Sequence, residues 1–240
     1  MTLPETSEYR ELVQRLIRAA DRAGLSTMLP SVAPNAAAWP FGSLVMMACD
    51  HDAAPILLMS DLSEHARNLA QDSRASLLID GTAGLVDALT GPRVTLLGRA
   101  IPDADPVLRR RYLSRHPRAD FYAGFADFRI YRFALERCHL VAGFGKVRWL
   151  DADQILTDAP WRDIEPMLIE RFADQGSLIA NCAGLPVMGE KSTGWQVVGI
   201  DPDGVDLRAG GHVGRYHFPS RLTAPEDIEA VLRAAQPGVP

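Results

Sequence analysis

A chain of 240 residues, 47% hydrophobic and 23% charged, is long enough for one large domain or for a medium domain with a small companion, with ample core. Its 25 Lys and Arg against 30 Asp and Glu leave a net charge of −5, which argues against a nucleic-acid-binding or membrane-surface protein. No apolar run reaches the about 20 residues a membrane helix needs, so a membrane protein is not expected either.

The opening "MTLPETSEYRELVQR" lacks a basic segment followed by an apolar core, so a cytoplasmic protein without a secretory signal is expected. Cys49, Cys138 and Cys182 are odd in number and far apart, which reads as reduced, buried thiols. Ser7 is a candidate N-cap. Leu12, Val13, Leu16, Ile17 and Ala20 then repeat at helical spacing, with Gly24 as the helix stop. "LSTMLPSV" and "FGSLVMMACD" read as strands joined by a Pro/Asn/Ala turn, and "DHDAAP" turns the chain into a third strand, "ILLM". A polar helix follows at about 62–71, capped by Ser60 or Asp61. Next come the strand "ASLLID", the Gly-rich loop "GTAGLVDALTGP" and the long strand "RVTLLGRAIP". Short strands with tight turns over about a hundred residues predict a closed or nearly closed barrel. "DPVLRRRYLSRHPRADFYAGF" is a helix broken at Pro117, its run of cations reading as a solvated face, and "FRIYRFALERCHLVAGFGKVRWL" supplies one or two last barrel strands. Phe121, Tyr122, Phe125 and Phe128 form an aromatic cluster suited to core or dimer interface. Acidic and turn residues in "DADQILTDAP" mark a boundary, giving a barrel domain at 1–150 and a small α+β domain at 151–240. The second domain has a helix at 164–180, strands in "GWQVVGI", "VDLR" and "GRYHFP", and a last helix capped near 223–226.

The passage from strand to helix at 57–71, "LLMSDLSEHARNLAQ", has the chemistry of an anion site. First-turn N–H groups lack intrahelical partners and the helix dipole favours negative charge; Ser60 and Ser63 add hydroxyls, Arg67 a cation and Asn68 an amide. Among the six histidines, His212 and His217 lie on opposite faces of a strand and do not predict a metal site. His139, before "LVAGFG", reads as a packed, hydrogen-bonded strand residue rather than a haem ligand.

"PFGSLVMMACDHDAAPILLMSDLSEHARNLAQDSRASLLIDGTAGLVDALTGPRVTLLGRA", followed by "RYLSRHPRADFYAGFADFRIYRFALERCHLVAGFGKVRWL", resembles the pyridoxamine 5′-phosphate oxidase-like, FMN-binding split β-barrels, and most of all their HugZ-type haem-utilisation branch. "GWQVVGIDPDGVDLR" and "GRYHFP" resemble the α+β domain that usually follows this barrel. The resemblance implies a homodimer binding FMN or haem, as a flavin-dependent or haem-degrading oxidoreductase, or else as a non-catalytic carrier or vestigial module. It assigns the FMN phosphate to Ser60, His65, Arg67 and Asn68, the flavin ring to the backbone of Gly42, Ser43, Leu44 and Val45, the ribityl chain to Met59 and a polar flavin contact to Arg93. Lys146 and Arg148 become candidate partners of haem propionates. There are departures. Glu64-His65-Ala66-Arg67 replaces a denser basic pair, Ser43 stands where the vitamin-B6 oxidases carry an arginine, Arg171, Phe172, Ala173 and Gly176 replace a His-bearing helix, and the tail "LRAAQPGVP" has no histidine.

Overall fold

The computed structural model describes residues 6–31, 37–186 and 194–236. The turn expected at 33–38 falls mostly outside them, as does the end of the tail. The described chain divides into two compact units, residues 1–112 with 118–157, and 158–240 with 113–117.

The first unit is a closed six-stranded antiparallel barrel with one strand appended. Helix α1 (Thr6–Ala19) leads into β1 (Arg22–Leu29), β2 (Trp39–Cys49) and β3 (Pro55–Ser60). Helix α2 (Glu64–Gln71), β4 (Arg74–Asp80) and β5 (Arg93–Pro102) follow. Helices α3 (Pro106–Arg115) and α4 (Asp120–Ala123) precede β6 (Phe128–Val141), β7 (Val147–Asp151) and the single turn α5 (Ala152–Ile155). The sheet order is β3-β2-β1-β4-β5-β6-β7, and β3 also pairs with β6, which closes the barrel. Alternation along the strands sends Leu25, Met47, Leu57, Leu77, Val94, Leu96, Phe133 and Cys138 inward, where α1 adds Tyr9, Val13 and Ile17. At a bulge between Leu97 and Gly98, a Cβ on Gly98 would lie 2.2 Å from the Ala134 carbonyl oxygen, so only glycine fits.

Two local expectations are corrected. Helix α1 already includes Thr6 and ends at Ala19, so Ser7 is not its cap and Gly24 does not stop it. Gly24 instead lies within β1, paired with Leu44 and Leu78, because the strand starts at Arg22 to meet Met46 of β2. The cations of 109–118 are not a solvated face as a whole. Arg111 and Arg115 are buried, and Arg109 donates to the Ala123 carbonyl.

The β2–β3 turn is a buried polar hub. Arg18 of α1 donates to the carbonyls of Asp50 and His51, Arg111 of α3 donates to the Cys49 carbonyl, and Arg132 of β6 pairs with both Asp50 and Asp52. His51 Nε2 lies 3.0 Å from an Arg111 nitrogen, which can only donate. Nε2 therefore accepts, and Nδ1 carries the proton towards Asp50, 3.3 Å away.

In the second unit, helices α6 (Glu165–Arg171) and α7 (Gly176–Cys182) precede β8 (Gln196–Asp201), β9 (Gly204–Ala209), β10 (His212–His217) and helix α8 (Ile228–Ala234). The three strands form an antiparallel sheet. The single helix expected at 164–180 is broken at 172–176, because α7 begins at Gly176 against the backbone of Trp195, where a Cβ would lie 2.0 Å from the carbonyl oxygen. Arg215, fully buried, bridges Asp201 at 2.6 Å and Asp206 at 2.9 Å, and Arg115 adds a third pair to Asp206 at 3.0 Å.

Burial works against ionising Asp50, but hydrogen bonds from His51 and the charges of Arg132 and Arg111 hold its carboxyl well below the usual range. Its stabilisation is therefore complete above the ordinary carboxylate pKa of about 4 and is lost as pH falls through the depressed value. Arg132→Met is expected to cost about 3 kcal/mol in denaturant unfolding at pH 7, since it strands two carboxylates. Asp50→Asn is expected to remove part of the parent's loss of stability below about pH 4.

Candidate functional site

Strand β3 runs on to Ser60 because its last residue still pairs with Phe128 of β6. The chain then turns, and Ser63, not Ser60 or Asp61, caps α2, its hydroxyl accepting from the Ala66 N–H at 3.4 Å. The Ser63 hydroxyl also donates to the Ser60 carbonyl at 2.7 Å, and the Ser60 hydroxyl donates to Asp127 at 2.5 Å. Arg67 lies on the exposed side of the helix, 3.7 Å from Glu64. Asn68 points the other way, buried, and donates to the Thr27 hydroxyl at 3.0 Å, while its amide oxygen has no partner. His65 is half-buried, and burial lowers its pKa. The turn thus brings Ser60, His65, Arg67 and Asn68 into one segment. Its hydroxyls are already engaged, and three carboxylates stand around it, Asp61 paired with Arg129 at 2.8 Å, Glu64 beside Arg67 and Asp127 on the Ser60 hydroxyl.

A second feature emerges from the strand registers. On the outer face, a row crosses six strands through paired positions: Leu44, Gly24, Leu78, Thr95, His139 and Trp149. Leu44 is 71% exposed, Leu78 49% and Trp149 50%, although all three sit on regular strands. The row on one side of it carries Arg93, Val141 and Val147; the row on the other carries Gly42, Ser26, Ser76, Leu97 and Arg137. Ser26, Ser76 and Leu97 line a groove of about 520 Å³ together with Met28, Pro40, Arg74 and Glu136. Gly24 leaves the middle of the central row without a side chain. At its far end the His139 and Trp149 rings lie 4.7 Å apart and the Arg137 guanidinium sits 4.5 Å above the indole.

This face separates the sequence-predicted residues. Gly42, Leu44 and Arg93 lie on it. Ser43, Val45 and Met59 point into the barrel, with the Ser43 hydroxyl buried and unpartnered. Arg93 donates to the carbonyls of Leu89 and Gly91, tying down the loop before β5. Lys146 occupies the β6–β7 hairpin, whose backbone bonds it to Gly143 and Ala142. Arg148 is on the opposite side of β7 from Trp149, its guanidinium 5.5 Å from the Tyr9 ring. Of the aromatic cluster, Phe121 and Phe125 are exposed, and Tyr122 packs on Phe128 at 4.8 Å. Leu78, Thr95 and Trp149 were not singled out by their sequence. Their only signal is strand alternation, which places Leu78, Thr95 and Trp149 at outward positions. Among the described residues, no three His, Cys, Asp or Glu side chains converge as metal ligands, and no helix is long and apolar enough to cross a membrane.

A six-stranded antiparallel barrel closed by β3–β6, with a seventh strand outside the closure, defines a split barrel of the pyridoxamine 5′-phosphate oxidase-like class. The profile of the CREG β-barrel matches residues 4–156, and the chain belongs to that family. It is 34% identical over 130 residues to the chloroplastic non-canonical haem oxygenase HOZ of Arabidopsis thaliana, a match covering 53% of this chain and 39% of that protein. The chain thus spans well under half the length of that relative. Among solved structures, a protein of unknown function from Agrobacterium tumefaciens superposes with a TM-score of 0.78 at 26% identity, over 95% of this chain and 94% of the other. A haem-binding protein from Mycobacterium smegmatis shares the fold with a TM-score of 0.56 at 23% identity, over 98% and 97% of the two chains.

The two halves of the β3–α2 segment are expected to differ in stability. Ser63→Ala should cost about 1 kcal/mol in thermal or denaturant unfolding, the usual value of an N-cap. Arg67→Ala should stay within about 0.5 kcal/mol, as for an exposed ion pair.

Proposed function

We propose that this protein binds haem on the outer face of the barrel sheet, in a homodimer whose second copy covers that face, and that it serves haem-iron utilisation. The observation that supports this most is the apolar row from Leu44 to Trp149. A row of exposed Leu and Trp on regular strands is a liability unless something flat or apolar covers it. With strands about 4.8 Å apart, Leu78 to Trp149 spans about 14 Å along the sheet, the scale of a tetrapyrrole. Leu78, Val147 and Trp149 would contact the porphyrin, the missing side chain at Gly24 would let it lie close, and Arg137 and Arg93 would face its propionates. When bound, haem supplies iron redox chemistry. The residues of this face hold it, orient it and exclude water. The relationship to the Arabidopsis haem oxygenase supports the same ligand.

FMN is the weaker reading. Its phosphate would have to displace the Ser60–Asp127 bond and approach Glu64, and the cations at this turn, Arg67 and Arg129, already face Glu64 and Asp61. Binding and carriage of haem are the role proposed; turnover would need oxygen and electrons delivered to the haem itself. We also propose that 1–150 acts as the ligand-binding domain and 151–240 as an appended α+β domain, whose own core is built from Trp161 onward. The three cysteines are free thiols, as expected of a protein of a reducing compartment such as the cytoplasm.

Titration of ferric haem into the purified protein is expected to give a saturable Soret band, and FMN to bind at least about tenfold more weakly under the same conditions. Leu78→Glu, which sets a carboxylate in the middle of the row, is expected to weaken haem binding by about tenfold or more and to shift sedimentation from dimer to monomer. A parent protein with no Soret band, or one that sediments as a stable monomer at micromolar concentration, contradicts this reading.

A further inference from the structure

The row on the outer face contains one side chain that packing alone does not account for. His139 sits between Thr95 and Trp149, with its backbone held by Cys138 and Leu140, both fully buried in the barrel core. Its ring leans on the Trp149 indole at an interplanar angle of 47°, and neither imidazole nitrogen makes a hydrogen bond to the described residues. The barrel unit's buried histidine is spent, whereas His139 is half-buried. His51 accepts from Arg111 at one nitrogen and faces Asp50 with the other. His65 lies on α2, away from the row.

We propose that His139 is the protein's axial ligand to haem iron. The inference rests on the haem reading above and adds the residue that would meet the metal. An imidazole presented from a rigid strand, at the edge of an apolar row, offers a nitrogen lone pair where the centre of a flat macrocycle can reach it. Trp149 fixes the ring's tilt from one side. Thr95, its directly paired neighbour, stands at cross-strand distance with a hydroxyl able to accept from the second ring nitrogen, the kind of partner that sets the tautomer of a metal-bound histidine. Arg137, over the Trp149 indole and 3.7 Å from the exposed carboxylate of Asp151, places a positive charge near the same spot for a propionate to compete for.

The test uses the full chain loaded with ferric haem and reads absorption and electron paramagnetic resonance spectra alongside affinity. The parent is expected to show the signature of nitrogen ligation. His139→Ala should lose that signature and raise the haem dissociation constant by about tenfold or more, and added imidazole should restore the spectrum. His139→Gln, which keeps a polar side chain of similar length on the strand, should show the same loss and so separates ligation from folding. Unchanged spectra and affinity in both variants would overturn the assignment of His139 while leaving haem binding intact. Absence of haem binding in the parent would overturn the assignment together with the reading on which it rests.

Discussion

The barrel depends on one clamp at its seam. Strand β6 closes the barrel by pairing residues 128–132 with β3, and Arg132, the last residue of that pairing, holds Asp50 and Asp52 of the β2–β3 turn. The turn adds bonds of its own, from the Asp50 N–H to the Ala54 carbonyl and from the Ala54 N–H to the Asp52 carboxylate. Ala53 takes a positive φ of 76°, a conformation that disfavours a side chain, and the chain bends there over only a few residues. Arg132, Arg18 and Arg111 come from three different elements and satisfy carbonyls and carboxylates that burial would otherwise leave exposed to a low dielectric. A neutral His51 completes the set because a guanidinium can only donate to it. Charge here works as registration. It holds β2, β3 and β6 in the one alignment in which the inward residues of all six strands meet.

Much of this was legible in the sequence, and the limits follow from distance along the chain. The strand 93–102 reads to the residue because Val94 and Leu96 alternate with outward Thr95 and Leu97 and prolines flank the run. Strands β2, β3 and β4 read nearly as well. The clamp did not, since Arg132 is 82 and 80 positions from its two partners and nothing local marks Asp50 or Asp52 as buried. The cationic run near 109–118 misleads for the same reason: which arginines go inside depends on carboxylates and carbonyls elsewhere in the chain. Ser60, Asp61 and Ser63 offer three caps within four residues, and only the pairing of Ser60 with Phe128 decides that the helix starts after Ser63. The middle row of the outer face needs five strand registers at once, so the sequence shows His139 and Trp149 as strand residues without showing that they are neighbours of Leu78.

Comparison of the β3–α2 turn with the outer face bears on how a ligand site is recognised. The turn has the residue types of an anion site, yet its donors are consumed locally, Ser63 by the cap and Ser60 by Asp127. The outer face has unremarkable residue types, yet its apolar surface and the His139 nitrogens are left over once the fold is satisfied. Binding capacity is what folding does not use. The fold also leaves two buried polar atoms without partners, the Asn68 amide oxygen and the Ser43 hydroxyl.

The shape of that outer face follows from β6 changing partners along its length. Its first residues pair with β3 and close the barrel; its last five, 137–141, pair with β7 instead. A closed six-stranded barrel curves away on both sides of any strand and gives little flat surface. Beyond the seam, β6 no longer has to bend towards β3, and β7 extends the sheet past the point of closure. His139 lies in that released half, and Trp149 is its partner on the added strand. The clamp at Arg132 and the broad face at His139 therefore belong to one strand and one geometry. Fixing the seam at 128–132 is what frees 137–141 to carry the outward pair of His139 and Trp149.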